Sequence, residues 1–175
     1  MAFRIIWSAD GLLAIALAAP PSRVEARARV RQAVREAAAQ WRSIDIDTIS
    51  VQSNPGQAPA LQLPDRTVGL SISHDEGLSL AAIHLHGKVG IDVMRVVAIP
   101  DWEIVARDYL GLQVTSQLAA MPAAERPLAL AQAWTAREAS LKCAGLQLAE
   151  WSDAIIDCRL QALPVQLPYV ATLAY

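Results

Sequence analysis

Cysteine, aromatic residues and charge are all scarce in this chain. Its 175 residues include two cysteines, Cys143 and Cys158, whose spacing matches no metal-ligand motif and which are too few for a disulfide framework. Charged residues make up 18% of the sequence, and the formal net charge is −2. The chain therefore lacks the overall positive field that attracts nucleic acids or anionic membranes, and we expect neither as a partner.

Long apolar runs are missing as well. The run Leu12–Ala19 is far shorter than the roughly 20 residues that span a bilayer. It could be the core of a signal peptide, but Arg4 is the one basic residue before it, and Asp10-Gly11 interrupts the apolar stretch. Because Asp-Gly favours a tight turn, we instead predict a hairpin over Ile5–Ala19. We accordingly expect a cytoplasmic protein.

Several common catalytic signatures are also absent. The sequence contains no GxxxxGK[ST] or GxGxxG loop, no HExxH motif and no GxSxG motif. It has no array of alternating basic and aromatic residues of the kind that binds nucleic acid. These absences remove the most common nucleotide-binding, zinc-protease and serine-hydrolase interpretations.

Apolar residues, in contrast, are abundant at 54%, which is enough for a hydrophobic core and excludes general disorder. The length fits one domain or at most two small ones. The strand-like and helix-like segments follow one another without regular β-α-β alternation, which favours an α+β fold over a doubly wound sheet. Each half of the chain offers strands and one long helix, which is a weak sign of internal symmetry.

Two helices have the clearest sequence patterns, over Ser22–Trp41 and Pro127–Gly145. Val68–Ser73 and Leu78–Leu85 predict a second hairpin, connected by His74-Asp75-Glu76-Gly77. The weaker predictions are strands at Val89–Val97, Asp45–Val51, Ala154–Leu160 and Pro168–Leu173, a loop at Ser53–Pro64, and a helical segment from Asp101 to about Met121.

Arginine supplies most of the positive charge and is concentrated in the first helix. Arg23, Arg27, Arg31 and Arg35 recur at every fourth residue and therefore share one side of that helix. A solvated surface is the simplest interpretation of this stripe. An arginine near the start of the helix could also bind an anionic ligand.

Two polar segments interrupt apolar strands. Ser73 and His74 lie where the second hairpin turns, and a histidine there can donate to a phosphate or simply bond within the turn. Asp92 lies inside the apolar run Val89–Val97. A buried carboxylate is costly unless it is paired or bound to a cation, so Asp92 needs either a cationic partner or backbone amides.

The third polar segment lies on the second long helix. Glu138 and Lys142 are four residues apart and share a face, which would stabilise an exposed helix by only about 0.3–0.5 kcal/mol. The helix is apolar almost all round at this point, which indicates partial burial instead. Two carboxylates and a lysine, with Asp92 as the second carboxylate, are the groups that a magnesium–pyrophosphate site requires.

In their order and spacing these segments resemble the 4′-phosphopantetheinyl transferases, especially the longer monomeric type that activates peptide and polyketide synthases. That family has a serine–histidine turn, a Gly-x-Asp strand and a Trp-Ser/Thr-x-Lys-Glu-x-x-x-Lys helix. The matching positions here are Ser73-His74, Gly90-Ile91-Asp92 and Trp134–Lys142. The family's Gly-Lys-Pro loop has a weak counterpart in Gly56–Pro59. The likeness covers roughly residues 22–157.

The resemblance implies an enzyme that moves the phosphopantetheine arm of coenzyme A onto a serine of an acyl or peptidyl carrier protein and releases adenosine 3′,5′-bisphosphate. It also implies a monomer built from two similar α+β halves, here 1–86 and 87–175, with the site between them. In that arrangement Arg23 or Arg27 would bind the 3′-phosphate together with His74, assisted by Ser73, and Lys142 would contact the pyrophosphate.

By the same resemblance, Asp92 and Glu138 would hold Mg²⁺, and Glu138 could help to deprotonate the carrier serine. The sequence departs from the family at three positions. Met94 replaces an acidic residue that many relatives use as a third metal ligand, and a thioether cannot serve a hard cation. Arg137 replaces the lysine before the helix glutamate, and Ala58 replaces the loop lysine.

These departures leave two other functions open. The chain could be a degenerate relative that binds coenzyme A or a carrier protein without turnover, for which Met94 is the favouring feature. It could also be an α+β interaction module that binds no ligand. In that case we would expect Asp92, Glu138 and Lys142 to lie apart.

Overall fold

An antiparallel sheet of six strands and one helix make up the first half of the fold. The computed structural model describes residues 3–53, 57–154 and 156–175. The elements are β1 (Arg4–Ala9), β2 (Leu12–Ala18), α1 (Arg23–Arg42), β3 (Ser50–Gln52), β4 (Ala60–Gln62), β5 (Thr67–Asp75) and β6 (Leu78–His84). The strand order in the sheet is β1-β2-β6-β5-β4-β3.

The predicted first hairpin is confirmed, and its second strand is central to the molecule. Asp10 and Gly11 both take positive φ angles, 49° and 78°, as the tight turn requires. In β2, the residues of one face pack in the core cluster that contains α1, and those of the other face pack in the core cluster that contains the second sheet. The apolar run Leu12–Ala19 is therefore a buried strand. Among the described residues, no helix is long and apolar enough to cross a membrane.

Helix α1 follows the predicted pattern closely. Ser22 caps its first turn by accepting a hydrogen bond from the Glu25 amide, and Val30 and Val34 are among the residues that it buries against the sheet. The arginine stripe faces solvent in its first turns. Arg35 is the exception, because its guanidinium donates to the carbonyl oxygens of Ile46 and Ile49.

The second half consists of a three-stranded antiparallel sheet and two helices. The elements are β7 (Gly90–Arg95), α2 (Trp102–Ala119), α3 (Arg126–Ala144), β8 (Leu160–Ala162) and β9 (Tyr169–Ala174). The strand order is β7-β9-β8. Helix α3 packs directly on β7 and β9, while α2 packs on α3 and bends where Gly111 has a φ of 85°.

Side chains of β5 connect the two sheets. The backbone amides of Ile91 and Val93 donate to the hydroxyls of Ser71 and Ser73, at 3.0 and 3.3 Å, and the next alternate amide donates to Asp75. Alternate residues of β5 thus satisfy alternate amides of β7. This side-chain ladder holds β7, and with it Asp92, against the first half of the chain.

Three local predictions are wrong in part. The first portion of Asp45–Val51 is a single 3₁₀ turn, because the Asp45 carboxylate accepts from the Asp47 amide, and only β3 is extended. The segment Ser53–Pro64 contains β4, which pairs with β3 and β5. The hairpin connection is shorter than predicted because β5 includes His74 and Asp75.

Near the C-terminus, the described part of Ala154–Leu160 contains no strand before β8 begins at Leu160, and Ile155 lies outside the described residues. The described residues of this last segment are half-buried or exposed, and local apolar content alone does not make them a strand. The strand predicted at Pro168–Leu173 is confirmed as β9, and the two long helices and the α+β class are confirmed as well. Both cysteines are free. The division at 86/87 and the likeness of the two halves stay predictions, as does the cytoplasmic location.

Candidate active site

One cavity of about 890 Å³ lies where the first turns of α1, the end of β5, β7 and α3 meet. Residues from both halves of the chain form its walls. Trp134 and Met94, from the second half, are among them. All seven residues singled out in the sequence line it: Arg23, Arg27, Ser73, His74, Asp92, Glu138 and Lys142. The residues that the ligand-free interpretation would separate are therefore neighbours in space.

Asp92 is the most deeply buried charged group in this cavity, with 7% of its surface exposed. It lies on β7 opposite Thr172 of β9. Its Oδ1 atom accepts two hydrogen bonds, from Ser73 Oγ at 2.8 Å and from Lys142 Nζ at 2.7 Å. Of the two partners that the sequence allowed for Asp92, a cation or backbone amides, the structure has the cation together with a hydroxyl.

Lys142 reaches across from α3 to β7. Its Nζ atom also lies 3.2 Å from the Ile91 carbonyl oxygen and 3.5 Å from Ser73 Oγ. The exposed Glu138–Lys142 pair that helix spacing allows does not form, because the ammonium pairs with Asp92. Charge pairing here is tertiary rather than along the helix.

Glu138 has no hydrogen bond or ion pair with any residue that the structure describes. Partial burial raises the pKa of its carboxyl group, the positive charge of Lys142 opposes this rise, and the negative charge of Asp92 adds to it. The carboxylate is thus held one helical turn from Lys142 and near Asp92, with both oxygens available to a ligand.

His74 and the arginines of α1 form the basic side of the cavity. The Nδ1 atom of His74 lies 2.8 Å from Ser79 Oγ, which leaves Nε2 for another partner. Partial burial lowers the pKa of His74, and the positive charges of Arg27 and Lys142 lower it further. Arg23 and Arg27 are both exposed, and both line the cavity. Of these two arginines, Arg27 is the one whose charge lowers the pKa of His74.

The departures from the family motifs fall at different places. Met94 lines the cavity two residues after Asp92 on the same strand. Arg137 turns aside and stacks on Trp151, with its guanidinium carbon 4.7 Å from the ring centroid. Of the weak loop motif Gly56–Pro59, Gly56 lies outside the described residues.

Several residues that the sequence motifs do not include fix these groups in place. Ser71 and Asp75 hold β7 through its amides, and the Tyr169 hydroxyl donates to the Glu76 carbonyl oxygen. Gly90 lies so close to α3 that an added Cβ would be 1.9 Å from the Ala139 carbonyl oxygen. The alternation of serine and aspartate along β5 was the available signal, because polar residues at every second position face one side of a strand.

The oxygen donors of the cavity suit a hard divalent cation. Among the described residues, no cluster of three or more His, Cys, Asp and Glu side chains could hold a metal ion. Two carboxylates, Asp92 and Glu138, are present, and one oxygen of Asp92 is already occupied by protein donors. This set fits Mg²⁺, which is commonly held by one or two carboxylates together with substrate phosphates and water.

The 4′-phosphopantetheinyl transferase superfamily model matches residues 88–174. That range contains Asp92, Glu138 and Lys142, whereas Ser73, His74 and the arginines of α1 precede it. No curated protein matches the chain. The matched family and the α+β fold agree with the resemblance drawn from the three motifs. The chain belongs to the 4′-phosphopantetheinyl transferase superfamily and is a transferase of that general kind.

Proposed function

We propose that this protein transfers the 4′-phosphopantetheine arm of coenzyme A to a serine of an acyl or peptidyl carrier protein and releases adenosine 3′,5′-bisphosphate. The observation that carries the proposal is the convergence of basic and acidic groups on one cavity. The charges of Arg27 and Lys142 are close enough to act on His74. The charges of Lys142 and Asp92 are likewise close enough to act on Glu138.

The distribution of charge matches the two anionic parts of coenzyme A. His74, with Arg23 or Arg27, offers donors for the 3′-phosphate on the side of the first half. Lys142 offers an ammonium for the pyrophosphate on the side of the second half. A cavity of about 890 Å³ lies in the range that ligand sites occupy. Ser73 assists indirectly, because its buried hydroxyl donates to Asp92.

Asp92 and Glu138 would hold Mg²⁺, which when bound neutralises and orients the pyrophosphate oxygens. The serine oxygen of the carrier attacks the phosphorus that bears the pantetheine arm, and the phosphoanhydride bond to the adenosine phosphate breaks. The serine proton passes to a base, for which Glu138 is suited because partial burial raises the pKa of its carboxyl group. The positive charge of Lys142 offsets the negative charge that develops on the leaving phosphate.

Mass spectrometry of an apo carrier protein incubated with the enzyme, coenzyme A and Mg²⁺ tests this proposal. We expect the carrier to gain the mass of one phosphopantetheine group. Asp92→Ala and Glu138→Gln should abolish the gain while the circular dichroism spectrum is retained. Lys88→Met should leave it unchanged, because Lys88 is exposed and does not line the cavity. Full transfer by Asp92→Ala would contradict the assigned site.

A degenerate relative remains the second candidate, and Met94 is the observation in its favour. Such a protein would bind coenzyme A, as calorimetry would record, without modifying any carrier.

We further propose that the active unit is a monomer, because residues from both halves of a single chain complete the cavity. Light scattering during size-exclusion chromatography in the presence of coenzyme A tests the monomer, and a dimer mass would overturn it.

A further inference from the structure

The ammonium group of Lys142 contacts one of the two carboxylate oxygens of Asp92, a residue that would hold the metal ion. We infer that Lys142 is the counter-cation of Asp92 in the ligand-free protein and that it competes with a divalent ion for this carboxylate, so that tight metal binding depends on coenzyme A. This inference rests on the proposed function, since it concerns the same cavity and the same substrate.

The hydrogen bonds around Asp92 leave its Oδ1 atom no free capacity. Oδ1 accepts from Ser73 and from Lys142, and a carboxylate oxygen has two lone pairs. The Asp92 side chain is 9% exposed, so water contributes little at this position. A cation that approached Asp92 with Lys142 in place would find one oxygen occupied and an adjacent positive charge.

Lys142 is held where it is by its own contacts. Its three N–H groups meet three acceptors, namely Asp92 Oδ1, the Ile91 carbonyl oxygen and the Ser73 hydroxyl. Leaving Asp92 costs Lys142 these contacts, and equivalent acceptors within the cavity offset that cost. The pyrophosphate of coenzyme A supplies such acceptors in the same cavity, and the four-carbon stem of lysine is flexible enough to turn toward them.

Coenzyme A thus supplies metal ligands and also draws away the competing cation. Coupling of this kind is reciprocal, so coenzyme A tightens metal binding by the same factor by which the metal tightens coenzyme A binding. Lys142→Met removes the competitor and should produce a metal site in the absence of coenzyme A. The chain has one other lysine, Lys88, which provides a matched control with the same change in charge.

The experiment measures Mn²⁺ binding without coenzyme A, using the electron paramagnetic resonance signal of the free ion. We expect Lys142→Met to bind Mn²⁺ more tightly than the parent by a factor within the range of about 5–150 that is typical of coupled sites. Lys88→Met should bind like the parent, and adding Asp92→Asn to Lys142→Met should remove the gain. Equal Mn²⁺ affinities of Lys142→Met and the parent would overturn the inference.

A second measurement needs no variant at Lys142. In the parent protein labelled with ¹³Cε-lysine, Mg²⁺ and coenzyme A together should shift the Lys142 resonance while that of Lys88 stays in place. An unmoved Lys142 resonance in the saturated complex would also overturn the inference. Carrier modification by the parent is scored separately. If the parent modifies the carrier but Lys142→Met gains no Mn²⁺ affinity, only the counter-cation role is rejected. If Lys142→Met gains Mn²⁺ affinity but the parent does not modify the carrier, only the proposed reaction is rejected.

Discussion

His74 shows how single residues on the basic side of the cavity depend on their neighbours. Its ring is positioned by Ser79 through Nδ1, and its protonation is opposed by partial burial and by two cations on other elements. The lowered pKa of His74 favours its neutral ring in the free protein, and an anion bound beside the ring would favour protonation. The 3′-phosphate of coenzyme A is such an anion in our proposal.

We predict that Arg27→Gln raises the pKa of His74, because one of the two repelling charges is removed. Proton NMR titration of the His74 ring tests this, with Arg31→Gln as the control one turn further along α1. In the parent, the lowered pKa means that the unfolded chain binds the proton more tightly. The free energy of unfolding therefore falls as the pH drops through 6.5, and Arg27→Gln should reduce this fall. An unchanged His74 pKa in Arg27→Gln would contradict the assigned proximity.

Met94 occupies a position from which an acidic residue would add a third carboxylate to the proposed metal site. It lines the cavity two residues after Asp92 and therefore projects from the same face of β7. We predict that Met94→Glu tightens Mg²⁺ binding in the absence of coenzyme A, because it adds an oxygen ligand. Calorimetry with Mg²⁺ on both proteins measures the effect, and Met94→Gln controls for the change in size and polarity. Equal affinities of Met94→Glu and the parent would mean that residue 94 does not reach the ion.

At the scale of elements, the site depends on the close packing of α3 against β7. Gly90 permits this, because a Cβ at that position would lie 1.9 Å from the Ala139 carbonyl oxygen and 2.6 Å from the Cys143 amide nitrogen. Both obstructing atoms belong to the backbone of α3, so neither can move without moving the helix. The glycine of the Gly-x-Asp motif thereby sets the distance between Asp92 and the two residues that α3 contributes.

We predict that Gly90→Ala lowers the free energy of unfolding by at least about 1–3 kcal/mol, the usual cost of overpacking. It should also reduce transfer in the folded fraction, since α3 carries Glu138 and Lys142. Urea unfolding measures the stability. Gly87→Ala is the control, because its Cβ would meet only the His84 ring, at 3.0 Å. Parent-like stability and activity of Gly90→Ala would show that this close approach is unimportant.

Elements with strong local signals could be predicted from the sequence. Helix α1 has its serine cap and its apolar face, α3 has proline at its start and glycine at its end, and the Asp10-Gly11 turn requires positive φ. Of the short strands, β3 was predicted only in part, at the end of Asp45–Val51, and β4 was missed, because three residues carry too little pattern and their pairing is set by distant partners.

The candidate site was predicted as a set of residues but not as a set of bonds. The motifs named Asp92, Glu138 and Lys142, whereas helix spacing suggested the wrong partner for the lysine. The choice of Asp92 over Glu138 depends on how α3 crosses β7, and no local pattern encodes this. The role of Ser73 as a donor to Asp92 depends in the same way on the contact between the two sheets.

At the scale of the whole molecule, the two halves supply complementary parts of one cavity. The first half brings Arg23, Arg27 and His74, and the second brings Asp92, Glu138 and Lys142. The side-chain ladder from β5 to β7 keeps them together. The family match covers the second half, so the basic residues of the first half rest on their geometry. In our proposal transfer requires both groups of residues, because coenzyme A carries negative charge at two places.

The most direct test counts both products of one reaction. The protein is mixed with coenzyme A, Mg²⁺ and an apo carrier protein, and both the released adenosine 3′,5′-bisphosphate and the modified carrier are quantified. We expect one nucleotide to be released per carrier modified, and no release when the carrier's acceptor serine is replaced by alanine. Nucleotide release without carrier modification, or neither product despite bound coenzyme A, would contradict it.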